Sequence, residues 1–187
     1  MCNFATILFI TNQKPISKMK KMMMMIALLT ASIAMQAQSK FHDVEANDAK
    51  GPVKSITMSM MGMERKTTFD QNGKMTSGDI TDAVYDENGY IQSGKMSMQG
   101  QSTDVKYTWE NGLLKTQTMS VMGQEVKTTI NYGANGVATS NSIDFGGQKM
   151  ESAFTDVKLD DHGNWISRKT EMMGREMTQT RTIEYYE

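Results

Sequence analysis

Glycine recurs through the second half of this chain in a fixed register. Gly89 and Gly100, Gly112 and Gly123, Gly136 and Gly147, and Gly163 and Gly174 are each 11 residues apart. The first of each pair follows a residue tolerant of positive φ, in Asn88-Gly89, Asn111-Gly112, Asn135-Gly136 and His162-Gly163. The second precedes a long polar residue: Gln101, Gln124, Gln148 or Arg175. Turn-forming glycines one strand length apart leave a chain few choices, and the pattern predicts successive antiparallel strands joined by tight hairpins.

The residues between the turns agree. Val105, Tyr107 and Trp109 alternate with Asp104, Lys106 and Thr108, and Val126, Thr128, Ile130 and Tyr132 alternate with Glu125, Lys127, Thr129 and Asn131. Period-2 alternation puts one face of each strand inside and the other in solvent. No stretch beyond Gly51-Pro52 sustains helical spacing, and Val53-Lys54-Ser55-Ile56-Thr57-Met58 opens the first strand.

Two turn classes punctuate the runs. Asn72-Gly73, Asn88-Gly89, Asn111-Gly112 and Asn135-Gly136 read as type I′ turns, which need positive φ at both central residues. Gly62-Met63, Gly100-Gln101, Gly123-Gln124, Gly147-Gln148 and Gly174-Arg175 read as type II′, with glycine at the first central position. The classes alternate, so they mark opposite ends of a meander. Within residues 74–87 the usual module is missing, and Gly78-Asp79 is placed as a short hairpin that keeps the alternation. The expected fold is all-β: an antiparallel meander of about 12 strands that curls into a barrel or half-barrel, because open twisted sheets beyond about 10 strands curl or split. A two-sheet sandwich is the alternative.

Upstream of the array, Met19-Lys20-Lys21 and the apolar run Met22 to Ala34 have the form of a signal peptide. The run has 13 residues, short of the ~20 that span a bilayer as a helix. The expected organisation is a non-native extension at 1–18, a signal peptide at 19–37, a polar linker at 38–52 and the hairpin domain at 53–187. No cysteine follows the apolar run, so a lipid anchor on the mature chain is not expected. An exported protein, periplasmic or secreted, follows from this reading.

From Gln38 onward the chain has 16 lysines and arginines against 21 aspartates and glutamates, a formal charge of −5, and no cysteine. That balance argues against nucleic acid or an anionic membrane surface as partner. The absence of thiols removes disulfides, cysteine nucleophiles and thiolate metal sites. Thirteen methionines make up for a shortage of leucine, of which the same stretch has three.

Val84-Tyr85-Asp86-Glu87-Asn88-Gly89-Tyr90-Ile91, Lys106-Tyr107-Thr108-Trp109-Glu110-Asn111-Gly112-Leu113 and Leu159-Asp160-Asp161-His162-Gly163-Asn164-Trp165 resemble the tyrosine-aspartate (YD, or Rhs) repeats of bacterial exported and surface proteins. The likeness extends over residues 53–187. Large members of that family build shells around a toxin cargo, which about five hairpins cannot enclose. What the resemblance implies here is a stand-alone module of the envelope or the extracellular space.

Candidate chemistry is sparse. His42 falls in the linker and His162 at a turn centre, and neither belongs to a nucleophile or metal motif. Asp86 to Ile91 looks like the middle of a calcium loop, but Val84 and Lys95 would occupy its end positions and cannot coordinate the ion. No enzyme activity and no cofactor are expected. Tyr85, Tyr90, Trp109, Tyr132 and Trp165 cluster near the Asn-Gly and His-Gly turns beside Asp86, Asn88, Asn111 and Asn164. They form either a ligand-stacking rim or cross-strand ladders that stabilise the sheet. Met58 with Met60, and Met96 with Met98, project to one side of their strands. Thioethers serve as adaptable core filler, as an oxidation buffer, or as ligands for Cu(I). An outer-membrane barrel conflicts with Ala138 to Ser142 and Thr178 to Thr182, which place polar groups on both faces. The functional expectation is a non-enzymatic module that binds a protein, glycan or lipid ligand, with a purely structural or assembly role as the alternative.

Overall fold

A computed structural model describes residues 40–187 apart from 99 and 173. The extension at 1–18 and the signal segment at 19–37 lie outside the described residues. Twelve strands follow one another: β1 (Val53–Met60), β2 (Met63–Phe69), β3 (Met75–Ser77), β4 (Ile80–Tyr85), β5 (Ile91–Met98), β6 (Gln101–Glu110), β7 (Leu113–Val121), β8 (Gln124–Tyr132), β9 (Ala138–Phe145), β10 (Gln148–Leu159), β11 (Trp165–Met172) and β12 (Arg175–Tyr185). All pairings are antiparallel, and β1 pairs with β12 as well as with β2. The sheet therefore runs β3-β2-β1-β12-β11-β10-β9-β8-β7-β6-β5-β4. It is a meander rolled into a nearly closed barrel.

The only gap in that order lies between β3 and β4. Gly78-Asp79, expected to close a hairpin, instead links the two edges of the sheet across this seam. The three residues of β3 pair with β2. Asp79 ties the seam from both sides: its carboxylate accepts from Arg65 on β2 at 2.8 Å and its carbonyl accepts from the amide of Ser97 on β5 at 3.0 Å.

The glycine register marks the turns, but their types differ from expectation. Met60 pairs with Met63, Val121 with Gln124, and Phe145 with Gln148. The two central residues are thus Met61-Gly62, Met122-Gly123 and Gly146-Gly147, and all six have positive φ. These are type I′ turns with glycine second, not type II′ turns with glycine first. The register is the reason: the polar residue after each glycine already belongs to the next strand. Among the Asn-Gly turns only Asn111-Gly112 is type I′, with both residues at positive φ. At Asp70, Asp86, Gly133 and Asp160 the chain forms a wider loop in which only the glycine is left-handed. Its first residue accepts from the glycine amide and donates to the carbonyl one residue beyond. Such a loop is a type I turn closed by a glycine bulge. An aspartate favours it: Asp70, Asp86 and Asp160 each accept from two amides of their own loops through Oδ1, at 2.8–3.0 Å. Trp109 stands at the equivalent place before Asn111-Gly112, where the chain takes the tighter turn.

Residues 41–50, expected within a polar linker, are built into the fold. A single helical turn, α1 (Asp43–Ala46), buries Asp43 and Val44. The segment lies across the barrel end that carries the Asn-Gly turns. The amide of Phe41 donates to Asn72 and that of His42 to Gly89, while Asn164 brackets Lys50 by accepting from its amide and donating to its carbonyl. Val44 and Ala49 join Val53, Ile56 and Phe69 in one apolar cluster, and Ala46 packs against a second formed by Ile91, Val105, Tyr107 and Leu114. A short polar sequence reads as a linker because its apolar residues are few; here Val44 and Ala49 are placed against one wall of the barrel and Ala46 against another.

Strand alternation separates the two surfaces. Ser93, Lys106, Thr118, Lys127, Asp144 and Lys149 form one continuous outward row. Val105, Met119, Val126 and Phe145 form an inward row, as do Tyr107, Gln117, Thr128, Ile143 and Met150.

Candidate functional site

At the plugged end, the aromatic residues singled out in the sequence fall into two groups around residues 41–50. Tyr90 stacks on His42 with ring centroids 3.8 Å apart and tilts against Trp109 at 4.9 Å. Tyr85 meets Phe41 edge-on and donates its hydroxyl to Asp43 Oδ2 at 2.7 Å. On the other side, Tyr132 and Trp165 line a cavity of about 120 Å³ together with Asp48, Lys50 and Asn164.

These rings are held by the protein itself. The Trp109 indole donates to the carbonyl of Ile91, the Tyr132 hydroxyl to that of Leu114, and the Trp165 indole to Asp48 Oδ2 at 2.7 Å. Trp165 is 1% exposed, so it cannot offer a face to a ligand. Tyr85, Tyr90, Trp109 and Tyr132 are half-buried. Burial raises the hydroxyl pKa of Tyr85, with the Asp43 carboxylate adding to it, and that of Tyr132.

Trp165 sits in a cationic setting that the sequence did not flag. Arg168 and Arg181 each place a guanidinium 3.9 Å from its ring centroid, and Arg168 also lies over Phe154. Arg168 pairs with Asp48 at 3.0 Å, with both side chains largely buried. Arg181 donates to the carbonyls of Asn47, Asp48 and Trp165. Burial lowers Arg181 to about 10, despite the nearby Asp48, and it remains charged at neutral pH. Asp48 is the counter-ion of this cluster and adopts a φ of 53° to reach it. The only sequence signal was negative: arginine at inward-facing positions 168 and 181 where a small barrel would ordinarily carry an apolar residue.

His162 stacks on Tyr185 at 3.9 Å. Tyr185 in turn donates to Asp160. Desolvation pushes the Asp160 carboxyl up, but that bond and those from the amides of Asn164 and His162 outweigh it and hold the pKa below its ordinary value. The two histidines are thus stacking partners at the plugged end.

At the opposite end the inward face is methionine. Met58 and Met60 on β1, Met63 on β2, Met96 on β5, Met119 on β7, Met150 on β10 and Met177 on β12 occupy inward register positions. Met96 shares a cavity with the plug residues Asp43, Ala46 and Asn47. Met63 is 61% and Met150 54% exposed, whereas Met58, Met60, Met96, Met119 and Met177 are half-buried. Of the four methionines singled out for Cu(I), Met58 and Met60 share one strand and Met96 belongs to another; the side chain of Met98 lies outside the description. β1 and β5 are not neighbours in the sheet. Met60 Sδ accepts from Gln179 at 3.5 Å and Met96 Sδ from Gln117 at 3.8 Å. Among the described residues no group of three or more His, Cys, Asp or Glu is arranged to hold a metal.

Fold and surfaces together define a small all-β barrel with a plugged polar-aromatic end and an open thioether-lined end. No protein-family model matches the chain, and no curated protein matches it in sequence.

Proposed function

We propose that this chain is an exported, non-enzymatic binding module whose ligand is apolar and flexible, a lipid acyl chain entering the methionine-lined end of the barrel. The observation that carries the reading is the inward face at that end, where Met63 and Met150 remain more than half exposed. Unbranched thioether side chains adapt to ligands of varying shape, and an exposed apolar surface of this kind marks a place where something binds. A glycan is less well served, because the polar tips of Tyr85, Trp109 and Tyr132 are engaged within the protein and Trp165 is buried. Outward rows carrying Lys106, Lys127 and Lys149 do not make a lipid-facing band, so the lipid is placed inside the barrel rather than around it. Export rests on the signal-peptide pattern of residues 19–37. The hairpin array is taken as a small relative of the tyrosine-aspartate repeat proteins, on the strength of Tyr85 to Gly89 and Asp160 to Gly163.

A structural or assembly role is the second reading. It is favoured by the same engaged aromatics, which act as staples between plug and barrel. Titration with cis-parinaric acid, whose fluorescence rises in an apolar site, separates the two. Saturable binding is expected, weakened at least about tenfold, or about 1.4 kcal/mol, by the double change Met63→Glu and Met150→Glu. Met61→Asn, at a turn outside the inward face, should leave it unchanged. Absence of saturable binding, or equal binding by the double variant, would exclude the lipid reading and leave the structural one.

A further inference from the structure

A second cavity, of about 130 Å³, lies beneath the plug, lined on one side by Asp43 and on the others by residues that include Met75, Ile80, Ile91, Met96 and Tyr107. Asp43 is 1% exposed. Its Oδ2 accepts from the amide of Met75 and the hydroxyl of Tyr85, both at 2.7 Å, but its Oδ1 is buried without any hydrogen-bond partner. Buried carboxylate oxygens are ordinarily satisfied, and an orphan of this kind calls for a donor. The lining supplies no lysine, arginine or histidine. Its other carboxylate, Asp79, is answered by Arg65 at 2.8 Å. Asp43 has no cation within ion-pair distance among the described residues.

We infer that this cavity binds a small organic ammonium ion, with an N–H donating to Asp43 Oδ1 and a hydrocarbon part packed against Ile80, Ile91, Met96 and the Tyr107 ring. The inference is independent of the lipid reading, since it concerns the plugged end and a ligand of opposite character. Charge selects a cation, because one carboxylate oxygen is unanswered and the walls add no positive group. Size selects an organic one of about six non-hydrogen atoms, since an apolar cavity of ~150 Å³ accommodates benzene. A bare metal ion would find one free oxygen and thioethers with no further hard donor assembled around it. An ammonium gains from both walls: a charge-assisted hydrogen bond to the carboxylate, and contact of its polarised methylenes with the aromatic ring and thioethers.

Calorimetric titration of the full chain with n-butylammonium chloride and, separately, with 1-butanol tests the assignment on the unmodified protein. Saturable binding of the amine at least tenfold tighter than the alcohol is expected. Asp43→Asn should abolish that preference. Ile80→Phe, which narrows the cavity and leaves Asp43 in place, should weaken the amine without altering the circular dichroism spectrum or the binding of cis-parinaric acid. Equal affinity for amine and alcohol, or no saturable binding of either, would overturn the proposal and assign the cavity to water.

Discussion

The most informative single residues are those held at positive φ. Met61 and Met122 occupy the first central position of type I′ turns with φ of 54° and 52°, a conformation that asparagine tolerates far better than methionine. Met122 is 98% exposed and so packs against nothing that a smaller residue would lose. Met122→Asn is therefore expected to raise stability by about 0.5 to 1 kcal/mol, a fraction of the usual left-handed penalty, read as a higher urea midpoint. Gly112 and Gly123 both have a φ of 77°. Gly112→Val and Gly123→Val should each cost on the order of 1 to 3 kcal/mol as a β-branched side chain is forced into that region. Lys115, partly exposed and 3.9 Å from Glu110, supplies the contrast: Lys115→Thr should change stability by no more than about 0.5 kcal/mol. Equal midpoints for the three variants would contradict the turn register.

Among the elements, the plug is the one whose contribution is least local. Asp48 partners Arg168 and receives the Trp165 indole, with Arg181 bound to its carbonyl. Asp48→Ala leaves the Arg168 guanidinium largely buried without its counter-ion, a loss expected to cost about 3 kcal/mol or more. Arg168→Met in the same background should recover part of that loss, because the orphaned charge is then gone. A chain in which the double variant is no more stable than Asp48→Ala would mean that packing, not charge, ties this side of the plug. The other side is tied sterically: a Cβ on Gly89 would fall 1.8 Å from the carbonyl oxygen of Lys40. Gly89→Ala should dislodge the start of the plug, detected as faster hydrogen exchange at the amides of Phe41 and His42, which now bond to Asn72 and Gly89.

For the whole molecule, two aspartates at the plugged end act in opposite directions on the pH dependence of stability. Burial raises the Asp43 pKa above its ordinary value of 3.8, against the hydrogen bonds from Met75 and Tyr85. Between its ordinary and its folded value the native state holds more protons than the unfolded chain, so the contribution of Asp43 to stability falls as pH rises through that window. Asp160 is depressed below 3.8. Its contribution is present above that value and is lost as pH falls through the lower, folded one. Urea midpoints measured from pH 3 to pH 7 should show the wild type losing ground to Asp43→Asn as pH increases, and losing ground to Asp160→Asn as pH decreases. Parallel curves for wild type and Asp43→Asn would place that carboxyl in a solvated site and remove the orphan oxygen.

How far these properties were legible in the sequence depends on the range of the interaction behind them. Strand positions, turn positions and the all-β class were open to reading because a glycine's left-handed φ and a period-2 side-chain pattern are properties of a few consecutive residues. Even the wider loops at Asp70, Asp86 and Asp160 were written locally, in an aspartate three residues before each glycine. The alternative of cross-strand ladders for Tyr85, Trp109 and Tyr132 was likewise open, though not the hydrogen-bond partners that hold them. The tertiary structure alone decided which segment fills the barrel end, where the seam falls and which arginines face inward. Asn164 reaches Lys50 across 114 residues and Arg181 reaches Asn47 across 134. Contacts of that separation exist only after β12 has returned to pair with β1, and a polar stretch such as Phe41 to Lys50 carries no periodic signal that announces the walls it will meet.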